Sequence, residues 1–287
     1  MSVFTLVCYY DKIQAVYIAH ETEEIIMKKK LALILALSMT AGAVLSGCGS
    51  KADTDLVYAV EAGSAGELAA NDNGFQTNAV ASQADALMEV ASGTSDAAII
   101  DLLMAGAMIG EGTSYPNMKY TTELTTEEYG VGCRKGSDLA SYINAVLAET
   151  YADGSMQKVA STYGVQEALV DQPASEFTAS DTDSDVAYIQ GKGTLIVGIT
   201  DFAPMDYQDG SDEWIGFDAD MARIVAERLG VETQFIVIDW DSKLMELDTK
   251  NIDVVWNGMT LTPEVTSAME CTNPYCKNAQ VIVVPTN

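Results

Sequence analysis

The sequence predicts an α/β protein whose sheets are mostly parallel and covered by helices on both faces. Two observations carry that expectation. From residue 55 onward, short apolar runs alternate with segments whose apolar residues keep helical spacing, and strands separated by helices build parallel βαβ units. The alternation is interrupted once, at 171–184, by Gln, Pro, Ser, Thr and Asp with few apolar residues, which is linker composition. The folded part is therefore expected as α/β blocks on either side of a polar connection, with no fixed-period repeat.

Residues 1–26 carry no periodic apolar pattern and are read as an over-called gene start. Met27-Lys28-Lys29-Lys30, the apolar run 31–45 and the small pair Ser46-Gly47 follow. A basic start, a short apolar core and a small-residue cleavage site make a secretory signal. The run is shorter than the ~20 apolar residues that a spanning helix needs. Leu45-Ser46-Gly47-Cys48 resembles the lipobox of bacterial lipoproteins, which implies a signal peptide at 27–47 and a lipid on Cys48. Residues 48–54, small and polar, are a tether.

Residues 55–62 read as an apolar strand ending in Gly63-Ser64-Ala65-Gly66-Glu67, which opens a helix. Ala84, Leu87, Met88 and Ala91 share one helical face. A strand at 96–100 passes at Asp101 into another apolar helix, and 129–133 reads as a further strand. Helices are expected over 139–151 and 155–163, broken at Asp153-Gly154. After the polar segment a strand is expected at 194–199, and Phe217, Met221, Ile224, Val225 and Leu229 keep helical spacing. Strands at 233–238 and 252–256 flank a helix at 242–247, and 281–284 is a last β-branched strand.

About 240 residues follow Cys48, enough for one large or two moderate domains. The net charge of -27 lies in this part, because 1–47 hold equal numbers of basic and acidic residues. Such acidity argues against nucleic acid, whose phosphates need a basic surface, and leaves Cys48 as the membrane link. The single histidine, His20, precedes the cleavage site. Zinc and histidine-based nucleophile systems are therefore not expected. No catalytic residue, metal or cofactor is assigned. Among Cys133, Cys271 and Cys276, the pair Cys271 and Cys276 is the local disulfide candidate in an oxidising compartment. Buried free thiols fit equally well.

Residues 195–229 carry Gly198-Ile199-Thr200-Asp201-Phe202-Ala203-Pro204-Met205 and then Trp214-Ile215-Gly216-Phe217-Asp218-Ala219-Asp220-Met221. Trp240-Asp241 and the run Asp253-Val254-Val255-Trp256-Asn257-Gly258-Met259-Thr260-Leu261-Thr262-Pro263-Glu264 continue the series. Together these segments resemble the polar amino-acid family of periplasmic binding proteins, the receptors of ABC importers (bacterial solute-binding protein family 3). Val60-Glu61-Ala62-Gly63-Ser64, Asp96-Ala97-Ala98-Ile99-Ile100-Asp101 and Tyr129-Gly130-Val131-Gly132-Cys133-Arg134-Lys135 resemble the later part of the same family. The resemblance implies a two-lobe, type II-like fold, each lobe a mostly parallel sheet flanked by helices. It divides the chain into 55–127, the ligand-binding second lobe; 128–170, closing strand and helices of the first lobe; 171–190, the polar linker; and 191–287, the main part of the first lobe. The usual family places the block at 194–287 first, so the order implies a circular permutation; a gene fragment is the other reading.

The resemblance also implies a site. Asp101 would take a ligand's ammonium group, or cap the helix after it. Phe202 and Trp240 would sandwich the ligand's side chain, and Asn257, Gly258 and Thr260 would offer hydrogen bonds. Ser64 and Ala65, at a helix start, would face a carboxylate. Glu61 and Asp201 match positions that face the ligand's side chain and are both acidic, hinting at a cationic or strongly polar ligand. Asp218 and Asp220 are read as capping and structural. Where the family places an arginine for the ligand's carboxylate, this chain has Val265; losing such a pair costs ~1.5–3 kcal/mol. The implied function is capture of an amino acid or similar solute for the membrane subunits of an ABC importer. The alternatives are a dehydratase-like enzyme on the same fold and a sensor for a signalling partner.

Overall fold

The computed structural model describes residues 55–180, 184–208, 210 and 212–286. The expected gene-start segment, signal peptide, Cys48 anchor and tether lie outside these residues.

The chain begins in lobe 2 with β1 (Val57–Glu61), α1 (Ala65–Asp72), β2 (Gln76–Val80), α2 (Gln83–Ser92), β3 (Ala97–Asp101), α3 (Leu102–Met108) and β4 (Met118–Glu123). Local chemistry sets the helix starts: the side chains of Ser64 and Ser82 accept from the backbone of Glu67 and Asp85, satisfying donors that a helix start leaves free. β3, Ala-Ala-Ile-Ile-Asp, is buried along its whole length, as a central strand covered on both faces should be. β5 (Glu127–Tyr129) then leaves the lobe, and β6 (Gly132–Cys133), α4 (Leu139–Asp153) and α5 (Ser155–Tyr163) belong to lobe 1.

Lobe 1 continues with α6 (Asp185–Lys192), β7 (Thr194–Ile199), α7 (Phe217–Leu229), β8 (Glu232–Val237), α8 (Lys243–Asp248), β9 (Val254–Val255), α9 (Pro263–Ala268) and β10 (Glu270–Cys271). The chain returns through β11 (Cys276–Asn278) and ends in β12 (Gln280–Pro285). One sheet has the order β2-β1-β3-β12-β4 and the other β10-β6-β9-β7-β8. In each, three strands run parallel and the fourth is antiparallel to its neighbours. That fourth strand comes from across the hinge: β12 enters lobe 2 after lobe 1 is built, and β6 enters lobe 1 after lobe 2. β5 and β11, paired antiparallel, are the two crossing strands. The α/β class and two-lobe architecture are as expected from the sequence.

Two expectations change, and one left open is decided. The sequence assigns 191–287 to the main part of lobe 1, yet β12 lies in the sheet of lobe 2 between β3 and β4; its unbroken run of β-branched residues fits a buried strand in either sheet. The polar linker is expected to run to 190, but Ser184 caps a helix that buries Val186 and Ile189, so the connection ends at Ser184. Within it, Phe177 packs edge-on against Tyr142 with ring centroids 5.1 Å apart, and Asp138 accepts from the Ser180 and Val186 amides and the Ser184 hydroxyl. Cys271 and Cys276 sit on strands of different sheets, and both are free thiols, as is Cys133.

Candidate functional site

The lobes touch where Gly63 meets Asp241 and Lys243, and among the described residues two cavities are lined by both lobes. The first, of about 250 Å³, lies between the start of α1 (Gly63, Ser64, Ala65) and the lobe 1 residues Trp240, Lys243, Thr260 and Val265. The second, of about 390 Å³, lies between Ser82 and Asp85 of lobe 2 and Thr200, Asp201 and Ile238 of lobe 1. Lobe contact is tight at Gly63, whose φ is +69° and where a Cβ would come 2.7 Å from Asp241 Cα. Both the turn and the close approach therefore require glycine.

Between the cavities runs a buried polar seam. Asp101 Oδ1 accepts from the Tyr129 hydroxyl at 2.6 Å, from Gln280 Nε2 at 3.0 Å and from Asn278 Nδ2. Its Oδ2 accepts from Gln83 Nε2, while the Asp101 amide donates to Gln83 Oε1 at 2.9 Å. Burial, then the charge of Glu127, push the Asp101 carboxyl up to about 7, against the bonds from Tyr129, Gln83 and Gln280. Glu127 Oε2 gathers Thr260 Oγ1 and Gln280 Nε2, each at 3.0 Å, so Thr260 ties lobe 1 to the hinge strand.

Glu61, at the end of β1, and Gln280 each leave one buried oxygen of this seam without a hydrogen bond among the described residues, and of the two only Glu61 is a carboxyl. It is buried, yet among the described residues its Oε1 accepts no hydrogen bond. Burial pushes its carboxyl up to about 8; the Thr200 hydroxyl opposes this, the Asp101 charge adds to it and the Lys243 ammonium subtracts. Thr200 lines one cavity and Lys243 the other, so Glu61 is set between them.

The expected site residues separate into three groups. Ser64, Ala65, Trp240 and Thr260 line the first cavity, and Asp201 lines the second. Glu61, Asp101 and Phe202 are buried and line neither of these two cavities. Asp101 makes no side-chain cap of α3, and both its oxygens are occupied by the seam. Phe202 does not form an aromatic sandwich with Trp240 around one cavity; its ring lies edge-on to Tyr129, with centroids 6.3 Å apart, and against Gly258. The third group belongs to the interior of lobe 1. Asn257 Oδ1 accepts from the Thr200 amide and hydroxyl, and its Nδ2 donates to Thr200 O and, at 2.8 Å, to Asp206 Oδ2. The Gly258 amide donates to Asp218 Oδ2 at 2.6 Å. The Asn257 side chain and the Gly258 amide are thus engaged within lobe 1. Asp218 braces Gly258 and the Tyr275 hydroxyl rather than capping α7.

The sequence reading missed the supporting residues Gln83, Tyr129, Glu127, Asn278 and Gln280, and the cationic Lys243. The polar Gln280 at the head of apolar β12, and the buried Asn278 of β11, mark the seam. Lys243 carries no such mark, because its contact with Gly63 spans 180 residues of sequence.

Residues 195–287 match the sequence model of the bacterial extracellular solute-binding proteins, family 3. The chain is 34% identical over 94 residues to the arginine-binding extracellular protein ArtP of Bacillus subtilis, covering 32% of this chain and 36% of that one. It is 34% identical over 88 residues to the L-cystine-binding protein TcyJ of Escherichia coli, covering 30% of this chain and 33% of that one. The chain thus spans about a third of the length of these curated relatives. Among solved structures, the arginine-bound form of domain 1 from TmArgBP is 30% identical, with 34% of this chain and 84% of that chain covered and a TM-score of 0.28. It is through residues 195–287, which build β7 to β12 and the lobe 1 walls of both cavities, that this chain resembles the bacterial extracellular solute-binding proteins of family 3.

Proposed function

We propose that the two lobes capture an amino acid or close analogue carrying a cationic group and pass it, chemically unchanged, to the membrane subunits of an ABC importer. The observation that carries this reading is Glu61: a buried carboxylate oxygen between the lobes with no donor among the described residues. An unpaired buried carboxylate is costly, and a ligand ammonium or guanidinium supplies the charge-assisted bond it lacks. Capture rather than turnover is supported by the relatives named above, which are binding proteins. Closure of lobes joined by two crossing strands is a hinge motion. The protein is read as exported and held to the membrane by lipid on Cys48, and its chain order as a circular permutation.

The test is calorimetric titration and thermal shift of residues 49–287 with L-arginine, L-lysine, L-histidine, L-cystine and L-glutamate. Arginine or lysine should stabilise by ~2.7 kcal/mol at ~100 times its dissociation constant. A cooperative melt that none of the five moves would sink the assignment. In cells, Cys48→Ser should release the protein from the membrane fraction; retention would refute the anchor.

A further inference from the structure

A zwitterion held between the lobes needs a partner for its carboxylate, and Val265 offers none. We propose that the Lys243 ammonium, which lines the same cavity, holds that carboxylate. The proposal rests on the solute-binding reading above and adds the residue that recognises the acid group.

Lys243 and Val265 both line the first cavity, together with the start of α1. The lysine is only 8% exposed, and its Nζ lies 5.0 Å from the centroid of the Trp240 ring, so the long side chain is held in place rather than free in solvent. Nζ donates to Trp240 O within lobe 1 and to Gly63 O of lobe 2, each at 3.0 Å. An ammonium has three donors, so one is left for a ligand. Asp241, Glu264 and Glu61 act on this group electrostatically, yet among the described residues it makes no ion pair. Glu67 also lines the cavity, but its Oε2 is committed to the Gly63 amide at 2.7 Å.

The bond to Gly63 exists only while the lobes are together. A carboxylate arriving beside Ser64 and Ala65 therefore meets the ammonium as the cleft shuts. The positive end of α1 adds in the same direction. The two ends of the solute are then told apart by charge: its cationic side chain faces Glu61, and its carboxylate faces Lys243.

The discriminating experiment compares acids with the same molecules lacking the acid. Dissociation constants of L-arginine and agmatine, and of L-lysine and cadaverine, are measured by calorimetry for residues 49–287 and for Lys243→Met. The wild-type protein should prefer the amino acid of at least one pair, and Lys243→Met should weaken that amino acid ten- to hundredfold while leaving its decarboxylated analogue within about twofold. Lys243→Arg should keep most of the preference, and Val265→Arg added to Lys243→Met should restore it. If Lys243→Met weakens acid and amine equally, the lysine is only a strut between the lobes and the inference fails while solute capture stands. Should Lys243→Met not melt cooperatively, the decision passes to Lys243→Arg, where loss of the preference overturns the inference. Wild-type protein that binds neither pair ends both readings.

Discussion

Asn257 stands where a ligand-binding amide was expected, yet all its bonding capacity is turned inward. It joins the end of β7, through Thr200, to Asp206, a carboxylate with no solvent contact. Truncating it strands several buried polar groups at once, and each such orphan costs ~1–3 kcal/mol. Asn257→Ala should therefore destabilise the protein by about 2–4 kcal/mol, seen as a lower denaturant midpoint without ligand. A direct ligand contact predicts the reverse, lost affinity at unchanged stability, so the two measurements on one variant decide its role. Gly258 follows the same logic: its φ is +56° and a Cβ would meet the Phe202 ring at 2.3 Å. The small residues in this run are there to seat Phe202. In sequence they look like ligand contacts because packing and binding both place small polar residues at a strand end.

At the scale of elements, what could be read from sequence was whatever carries a period. α7 was legible from Phe217, Met221, Ile224, Val225 and Leu229, which form its buried or partly buried face. β6, β9 and β10, two residues each, are too short to carry alternation and are made strands by their neighbours. The sheet that β12 joins was equally hidden, since its pattern fits any central strand. Its placement nonetheless supports the permuted order: β12 completes a sheet whose other strands all precede residue 124, and the connection at 171–184 joins α5 and the turn after it to α6. Linking residue 286 to residue 55 by a short flexible segment and opening the chain within 173–176, before the Phe177 and Ser180 contacts, would restore the order that the resemblance implies. That variant should melt cooperatively and bind the same solutes within a few-fold, because exposed connections with few contacts tolerate rearrangement. A chain that no longer folds would refute the permutation reading.

At the scale of the molecule, the closed seam and the floor of lobe 1 hold carboxyls away from water, and this sets the direction of pH dependence. Burial pushes Glu61 from its ordinary 4.5 to about 8, and Asp101 and Asp218 from 3.8 to about 7. Asp206, buried beside Asp218, is raised as well. A group whose folded value is raised keeps its proton in the folded protein while the unfolded chain has released it. Its stabilising contribution is complete below the unfolded value and is lost as pH rises through the folded value. Each such group changes the unfolding free energy by up to ~1.4 kcal/mol per pH unit within that window. Asp138 works the other way: although burial pulls it up, bonds from Ser184, Ser180 and Val186 hold it low, so it favours folding once ionised. Half-buried Asp138 and exposed Asp153, held low by the Ser155 hydroxyl and amide, stand against five raised carboxyls, since partial burial raises Asp201 as well. The denaturant midpoint of the ligand-free protein should therefore fall from about pH 5 to about pH 8. Surface repulsion from a net charge of -27 acts in the same direction but is screened within ~3 Å at 1 M salt. The fall should persist in that salt if the buried carboxyls cause it; a flat profile there would mean they are already ionised and paired. A cationic solute opposite Glu61 reverses the preference by favouring the ionised form. Its binding near neutral pH should release protons, measurable as a dependence of the calorimetric heat on the buffer's ionisation enthalpy, and a heat independent of buffer would place the cation elsewhere than at Glu61.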